Sequence, residues 1–125
     1  MASLRILIAE DEAIIAMLLG EVLTGLGHTI CATAATEEEA VAAARAHLPD
    51  LIIIDAGLRE GSGLSAMRRI NAAHPTPHLF TTGNVMGVRA ALPRAIILEK
   101  PFNEIDLIMA IDRARGQYPV EAASR

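Results

Sequence analysis

Four apolar segments of this chain are each followed by a side chain that could bind a cation or an anion. Glu10 and Asp11 follow the first segment, and Asp55 follows a run of one leucine and three isoleucines. Thr82 ends a third segment, and Lys100 comes just after a fourth. The run before Asp55 is typical of a strand buried on both faces of a parallel sheet. A carboxylate can end such a strand only where it reaches solvent, a metal ion or a cation.

The acidic residues of this set indicate a site for a divalent cation. Neighbouring carboxylates repel each other and raise one another's pKa unless a positive charge lies between them. All the donors are oxygen atoms, without histidine or cysteine beside them in the sequence. Such a set suits a hard ion that keeps several waters, so we expect Mg²⁺ and not Zn²⁺. The alternative for Asp55 alone is a surface turn or the cap of the following helix.

Lys100 is the only lysine of the chain, since the other ten of its eleven basic residues are arginine. Lysine supplies a compact charge that can lie beside one oxygen, whereas the arginine fork is planar and larger. The hydroxyl of Thr82, this ammonium and a divalent ion could surround the three equatorial oxygens of a phosphoryl group. Phosphoryl transfer requires little beyond such positioning and charge. Asp55 would then be the nucleophile that forms an aspartyl phosphate.

Hydrophobic periodicity predicts five strands that alternate with five helices. The first helix is predicted from two adjacent apolar rows, one of Ile14, Leu18, Val22 and Leu26 at i, i+4 spacing and one of Ile15, Leu19 and Leu23 beside it. The strands are expected at residues 4–9, 29–34, 51–55, 78–82 and 95–98, and the helices at about 12–26, 36–47, from 64, at 84–92 and from 103.

This alternation predicts an α/β fold in which a doubly wound parallel sheet lies between two layers of helices. Ligands bind such sheets at the carboxyl ends of the strands, where the strand order reverses. The order 2-1-3-4-5 puts that reversal between the strands that lead to Asp11 and to Asp55. The carboxylates are therefore expected to converge.

The composition excludes several classes of function. A net charge of −4 gives no attraction to nucleic acid, and a 2% aromatic content leaves almost no rings to stack on a base or a flavin. No apolar run approaches the roughly 20 residues of a membrane span, and the N-terminus lacks a signal-peptide layout. The single cysteine, Cys31, predicts a reduced, cytoplasmic protein.

The chain resembles the receiver domain of two-component response regulators. The resemblance implies a flavodoxin-like (βα)5 fold and a phosphoryl group that passes from a phosphohistidine of a sensor histidine kinase to Asp55. The receiver domain is expected over residues 1–116, with a flexible C-terminal tail at residues 117–125. Four motifs carry the resemblance, namely Ile8-Ala9-Glu10-Asp11-Glu12, Leu51-Ile52-Ile53-Ile54-Asp55, Thr82-Gly83 and Lys100-Pro101-Phe102.

The resemblance also implies roles for individual residues. Asp11, Asp55 and the backbone carbonyl of Gly57 would bind Mg²⁺ directly, and Glu10 would act through a metal-bound water. The side chains at Gly57 and Asn84 flank the expected path of the hydrolytic water, so we predict that they tune the lifetime of the phosphate.

The phosphoryl oxygens would be contacted by Thr82 and Lys100, and a cis peptide is implied at Lys100–Pro101, since such bonds are tolerated before proline. Receivers often carry a proline where Arg59 stands, so the loop around it is expected to be more mobile. The residues assigned to switching are Gly83, Ile97, Pro101 and Phe102.

Ile97 stands where receivers usually have an aromatic switch residue. The segment from Pro77 to Gly83 is similar to an alphaproteobacterial subgroup that reads P-x-x-F-A-T-G, lacks the aromatic residue and often regulates stress responses. Residues 84–92 form the weakest predicted helix, with Gly87 inside it. We therefore expect signalling through the ordering of this segment.

Output is expected through protein contact, because the sequence has no second domain. The expected partners are a sensor histidine kinase, a phosphotransfer protein and an effector on the face of residues 84–115, with no nucleic acid or membrane contact. The alternatives are a degenerate receiver that acts as a phosphorylation-independent binding module, or the receiver fragment of a longer regulator.

Enzymatic alternatives fit the motifs poorly. A dehalogenase-type phosphatase requires a second aspartate two residues after its nucleophile, where Gly57 stands. A P-loop is excluded because Pro101 follows the lysine and no glycine-rich loop precedes it. We expect catalysis only of the protein's own phosphorylation and dephosphorylation.

Overall fold

The computed structural model describes residues 3–116, in which five strands and five helices alternate. The predicted flexible tail at residues 117–125 lies outside the described residues. The elements are β1 (Arg5–Ala9), α1 (Ala13–Gly25), β2 (Thr29–Ala34), α2 (Glu37–His47), β3 (Leu51–Asp55), α3 (Gly63–Ala73), β4 (His78–Thr82), α4 (Val85–Ala91), β5 (Ile97–Glu99) and α5 (Glu104–Gly116).

The strands form one parallel sheet in the order β2-β1-β3-β4-β5, which confirms the predicted fold and topology. β1 and β3 are direct neighbours, and Ala9 pairs with Ile54 at their carboxyl ends. The residues that follow these two strands therefore emerge side by side at one edge of the sheet.

Both faces of the sheet are buried, which explains the continuous apolar runs in the sequence. Alternate residues of β1 enter different cores, because successive side chains of a strand point to opposite faces. Ile6 and Ile8 pack with α1 and α5, whereas Leu7 and Ala9 pack with α2 and α3.

Of the two apolar rows that predicted α1, only the second supplies its buried residues. Ile14 and Leu18 are 69% and 52% exposed, and the buried residues of the helix are Leu19 and Leu23. Apolar side chains surround this helix almost completely, so two adjacent rows at i, i+4 spacing satisfied the same pattern. In the part of the chain that the structure describes, no helix is both long and apolar enough to cross a membrane.

β5 begins at Ile97 and not at Ala95 as predicted. The backbone of Ala95 is used by the preceding turn: its amide donates to the carbonyl of Leu92, and its carbonyl accepts from Arg89 at 2.7 Å. These bonds keep Ala95 out of the sheet ladder.

Local capping sets the starts of two helices. The hydroxyl of Thr36 accepts a hydrogen bond from the amide of Glu39, as expected for the predicted capping box before α2. The side chain of Asn84 accepts from the amide of Gly87 at 3.1 Å and caps α4. α4 has only seven residues, and Val88 is its one buried side chain.

Candidate functional site

Three carboxylates converge at the carboxyl edge of the sheet. Glu10 and Asp11 follow β1 and Asp55 ends β3, and one oxygen of each lies within 4.8 Å of the others. Glu10 is buried, and Asp11 and Asp55 are partly exposed. This is the cluster that the sequence predicted, and its donors are all carboxylate oxygens.

The ammonium of Lys100 bridges two of the three carboxylates. Its Nζ atom donates hydrogen bonds to Oδ2 of Asp55 at 2.7 Å and to Oε1 of Glu10 at 3.0 Å. Burial acts to lower the pKa of Lys100, but the two carboxylates outweigh burial and the net pKa is raised. The lysine is therefore protonated at neutral pH, and it supplies one positive charge to three acids.

The surroundings of Glu10 disfavour its charged form. Its pKa is raised, first by burial and further by the charge of Asp55. The amide of Glu12, at 3.1 Å from Oε2, and the ammonium of Lys100 act in the opposite direction. An additional cation would lower the electrostatic cost of this arrangement.

The backbone after β3 fixes the orientation of the Asp55 carboxylate. The amide of Gly57 donates to Oδ1 at 3.0 Å, while Lys100 binds Oδ2. A side chain built on Gly57 would meet no atom within 4 Å, so the space above this position is open. The carboxylate is thus held from both sides, with a free approach beside Gly57.

The start of α3 packs directly on the peptide of Asp55. The amide of Gly63 donates to the carbonyl of Ala56 at 2.9 Å. A Cβ atom on Gly63 would collide with the carbonyl oxygen of Asp55. Only glycine therefore fits at this close approach of two backbones.

Thr82 lies buried at the end of β4, where its hydroxyl is linked to α4. Oγ1 of Thr82 accepts a hydrogen bond from the amide of Asn84 at 2.9 Å, and the carbonyl of Thr82 accepts from the amide of Lys100 at 2.9 Å. Thr82 thus lies at the carboxyl edge of the sheet, and its hydroxyl contacts the cap residue of α4.

The residues assigned to switching occupy the segments around this edge. The Lys100–Pro101 peptide is cis, as the resemblance implied. Ile97 is half-buried against the core on the α2 and α3 side, and Phe102 packs against the core on the α1 and α5 side. Gly83 has open space around it.

Sequence reasoning missed two groups of contacts around the loop between β3 and α3. Arg59 replaces a proline that receivers often have, and the loop was therefore expected to be more mobile. Nη2 of Arg59 instead donates a hydrogen bond to the backbone carbonyl of Asp11 at 3.0 Å. The carboxylate of Glu37 binds the far end of the same loop through the amide of Ser62. Both pairs are distant in sequence, and no local motif signals them.

The carboxyl edge of this five-stranded parallel sheet thus holds an acid cluster paired with a lysine. The profile of the response regulator receiver domain matches residues 6–112, and the chain belongs to this family.

Two relatives and one solved structure illustrate the similarity. The chain is 37% identical to the transcriptional regulatory protein PdtaR of Mycobacterium tuberculosis, over 91% of this chain and 58% of that protein. It is 36% identical to the phyllosphere-induced regulator PhyR of Methylorubrum extorquens, over 88% of this chain and 43% of that protein. It therefore spans about half the length of these curated relatives.

The solved structure is the receiver domain of PhyR from Erythrobacter litoralis. It superposes with a TM-score of 0.82 at 32% identity, and the match covers 90% of each chain. The predicted receiver domain of two-component signalling is confirmed. The similarity to PhyR proteins also agrees with the narrower resemblance to the P-x-x-F-A-T-G subgroup.

Proposed function

We propose that Asp55 accepts a phosphoryl group from a phosphohistidine of a sensor histidine kinase. The proposal rests on how the carboxylate of Asp55 is oriented. Lys100 donates a hydrogen bond to its Oδ2 atom, and the amide of Gly57 donates one to its Oδ1 atom. Open space beside Gly57 leaves a path for a donor to this carboxylate.

The donor set fits Mg²⁺. Carboxylate oxygens of Glu10, Asp11 and Asp55 lie within 4.8 Å of one another, and one lysine charge leaves the group net negative. Asp11, Asp55 and the carbonyl of Gly57 would hold the ion directly, with Glu10 acting through a bound water. The ion would supply charge neutralisation of the phosphoryl oxygens.

The chemical step exchanges one bond to phosphorus for another. An oxygen of Asp55 would attack the phosphorus atom while the bond between phosphorus and the donor imidazole nitrogen breaks. The imidazole nitrogen would keep the electrons of that bond and take a proton from solvent water. Lys100 then moves from the carboxylate to a phosphoryl oxygen, and the hydroxyl of Thr82 donates to another. Hydrolysis by water would then regenerate the carboxylate. The reactions that the protein catalyses would be its own phosphorylation and dephosphorylation.

Output by protein contact remains part of this proposal. The surface between residues 84 and 115 carries exposed Met86, Ile105 and Met109, which could contact an effector. A phosphotransfer protein would exchange phosphoryl groups at the same aspartate. We propose a cytoplasmic location, where sensor kinases present their phosphohistidine.

Acetyl phosphate with Mg²⁺ tests the proposal without a cognate kinase. We expect intact-mass spectrometry to detect one added phosphoryl group on the wild type and none on Asp55→Asn. Asp50→Asn is a matched control, because Asp50 precedes the same strand and binds the amide of Arg5 at the opposite edge. A wild type that gains no mass would contradict the proposal and favour the phosphorylation-independent binding module.

A further inference from the structure

Glu37, the first residue of α2, makes a group of bonds that the phosphoryl chemistry above does not use. Its carboxylate accepts hydrogen bonds from the amide of Ser62 at 3.0 Å, the hydroxyl of Ser65 at 2.8 Å and the guanidinium of Arg69 at 2.9 Å. Only 13% of its side chain is exposed. The partners lie 25 to 32 residues away in sequence, so these bonds join α2 to the loop that follows Asp55 and to α3.

The backbone of the loop follows the same side chain closely. The amide of Glu37 donates to the carbonyl of Glu60 at 3.0 Å. Gly61 has a positive φ of 83°, and a Cβ atom there would fall on the Glu37 carboxylate. The loop therefore depends on Glu37 for its course at both Glu60 and Ser62.

This anchored segment adjoins the phosphoacceptor. Ser62 caps α3 through its hydroxyl, and the next residue, Gly63, donates to the carbonyl of Ala56 and touches the carbonyl of Asp55. Glycines at 57, 61 and 63 give the loop much conformational freedom, which side-chain bonds must restrict. The bonds of Glu37 restrict the loop at its C-terminal end, at Ser62, which is beside Gly63 and therefore close to Asp55 in the fold.

We propose that Glu37 is a positioning residue for the phosphorylation site. It acts through Ser62 and Gly63 to hold the loop in the course that presents the carboxylate of Asp55 and the carbonyl of Gly57 together. The inference rests on the proposed function for its Mg²⁺ and phosphoryl readouts, whereas the order of the loop is measurable without either.

A pair of adjacent variants separates this role from a general loss of charge. Glu37→Gln removes the carboxylate that binds the loop. Glu38→Gln removes an equal charge from the neighbouring residue. Within residues 3–116, the carboxylate of Glu38 bonds only to Arg69, at 2.6 and 3.1 Å, and not to the loop. Glu37→Gln places a neutral amide against the guanidinium of Arg69 and weakens the group of bonds.

Three measurements compare these variants with the wild type: the Mg²⁺ dissociation constant, amide exchange of residues 56–63 without ligand, and the rate constant for phosphoryl uptake from acetyl phosphate. Glu37→Gln should weaken Mg²⁺ binding by about tenfold or more, as expected for a residue that orients metal ligands. It should also speed exchange in the loop and slow phosphoryl uptake. Glu38→Gln should stay within about twofold of the wild type, because its ion pair is exposed.

Equal Mg²⁺ affinity and equal loop exchange in Glu37→Gln and the wild type would overturn the inference. If Glu37→Gln does not fold, Ser65→Ala, which removes one hydroxyl bond, decides by the same measurements. Ser65→Ala should weaken Mg²⁺ binding, speed loop exchange and slow phosphoryl uptake, each by less than Glu37→Gln. Values equal to those of the wild type would again overturn the inference. A wild type that takes no phosphoryl group would instead refute the proposed function, and loop exchange would still decide the role of Glu37.

Discussion

The Nζ atom of Lys100 lies 2.7 Å from Oδ2 of Asp55, and this ion pair is the only one that the described residues form with Asp55. The same ammonium is shared with Glu10 at 3.0 Å. A phosphoryl group on Asp55 would present new anionic oxygens to this lysine. By the proposed mechanism, phosphorylation would replace one ion pair of Lys100 with another and would not create a charge contact where none existed.

Removal of the lysine charge should make the protein more dependent on Mg²⁺. Lys100→Met leaves three carboxylates without their cation, so we expect a lower Tm without Mg²⁺ and a larger rise in Tm when Mg²⁺ is added. Phosphoryl uptake should fall by about 10²- to 10³-fold. Thermal unfolding with and without Mg²⁺ and a phosphorylation time course measure the two effects.

Lys100→Arg is the matched control for that experiment. It keeps the positive charge, so its Tm without Mg²⁺ should stay close to that of the wild type, while phosphoryl uptake should remain slow because a planar fork replaces a compact ammonium. A Mg²⁺-induced rise in Tm that is the same in Lys100→Met and the wild type would contradict the electrostatic argument.

Gly63→Ala should destabilise the fold, because its Cβ atom would collide with the carbonyl of Asp55. Overpacking of this kind costs about 1–3 kcal/mol in the free energy of unfolding. Urea unfolding gives this quantity. Gly57→Ala serves as the control, since its Cβ meets nothing within 4 Å, and equal stabilities of the two variants would show that the loop yields.

Gly57→Arg should prolong the lifetime of the phosphate. A side chain at this open position would cover the expected path of the hydrolytic water, so dephosphorylation should slow by roughly two- to tenfold, at most ~1.4 kcal/mol of barrier. The decay of phosphorylated protein after removal of acetyl phosphate measures the rate. An unchanged decay would show that water approaches from another side.

The stabilisation from Glu37 should depend on pH. The bond from Arg69, followed by those from Ser62 and Ser65, lowers the pKa of Glu37 from 4.5 to about 2 in the folded state. A lowered folded pKa stabilises the protein above the unfolded value, and this contribution is lost as the pH falls through the folded value. The difference in Tm between the wild type and Glu37→Gln should therefore be constant above pH 4.5 and shrink toward pH 2.

That difference is measured by thermal unfolding of both proteins in a series of buffers from neutral to acidic pH. Glu38→Gln provides the comparison, because Glu38 shares Arg69 without the loop. A difference between wild type and Glu37→Gln that grows as the pH falls would have the wrong sign for an ion-paired carboxylate.

α4 should change its order when a phosphoryl analogue occupies the site. The amide of its cap residue, Asn84, is bonded to the hydroxyl of Thr82, which would turn toward a phosphoryl oxygen. We expect beryllofluoride to alter amide exchange across residues 83–92. Asn84→Ala should remove about 1 kcal/mol of helix stability and increase exchange there before ligand is added. Unchanged exchange on ligand binding would refute this route of signalling.

Local patterns predicted the strands and the carboxyl-edge residues, because buried strands and turn residues are encoded by neighbours in sequence. They were less informative where the pattern was uniform. α1 is apolar on most sides, so the sequence could not distinguish the exposed Ile14 from the buried Leu19. The start of β5 depended on Arg89, a side chain outside the strand.

The bonds of Glu37 were not predictable for a different reason. An acid in the first turn of a helix is already favoured by the helix dipole, so Glu37 needed no further explanation in the sequence. Its partners Ser62 and Arg69 belong to other elements, and only the folded chain brings them together. Polar contacts between distant elements carry no periodic signal.

The bond between Lys100 and Glu10 joins residues that are 90 positions apart. During synthesis, the first strand leaves the ribosome before the lysine does, because the chain is made from its N-terminus. A nascent chain that already exposes Asp55 thus lacks the cation that completes the site. Acceptance of a phosphoryl group would in this sense require that the whole sheet, from β1 to β5, has already folded.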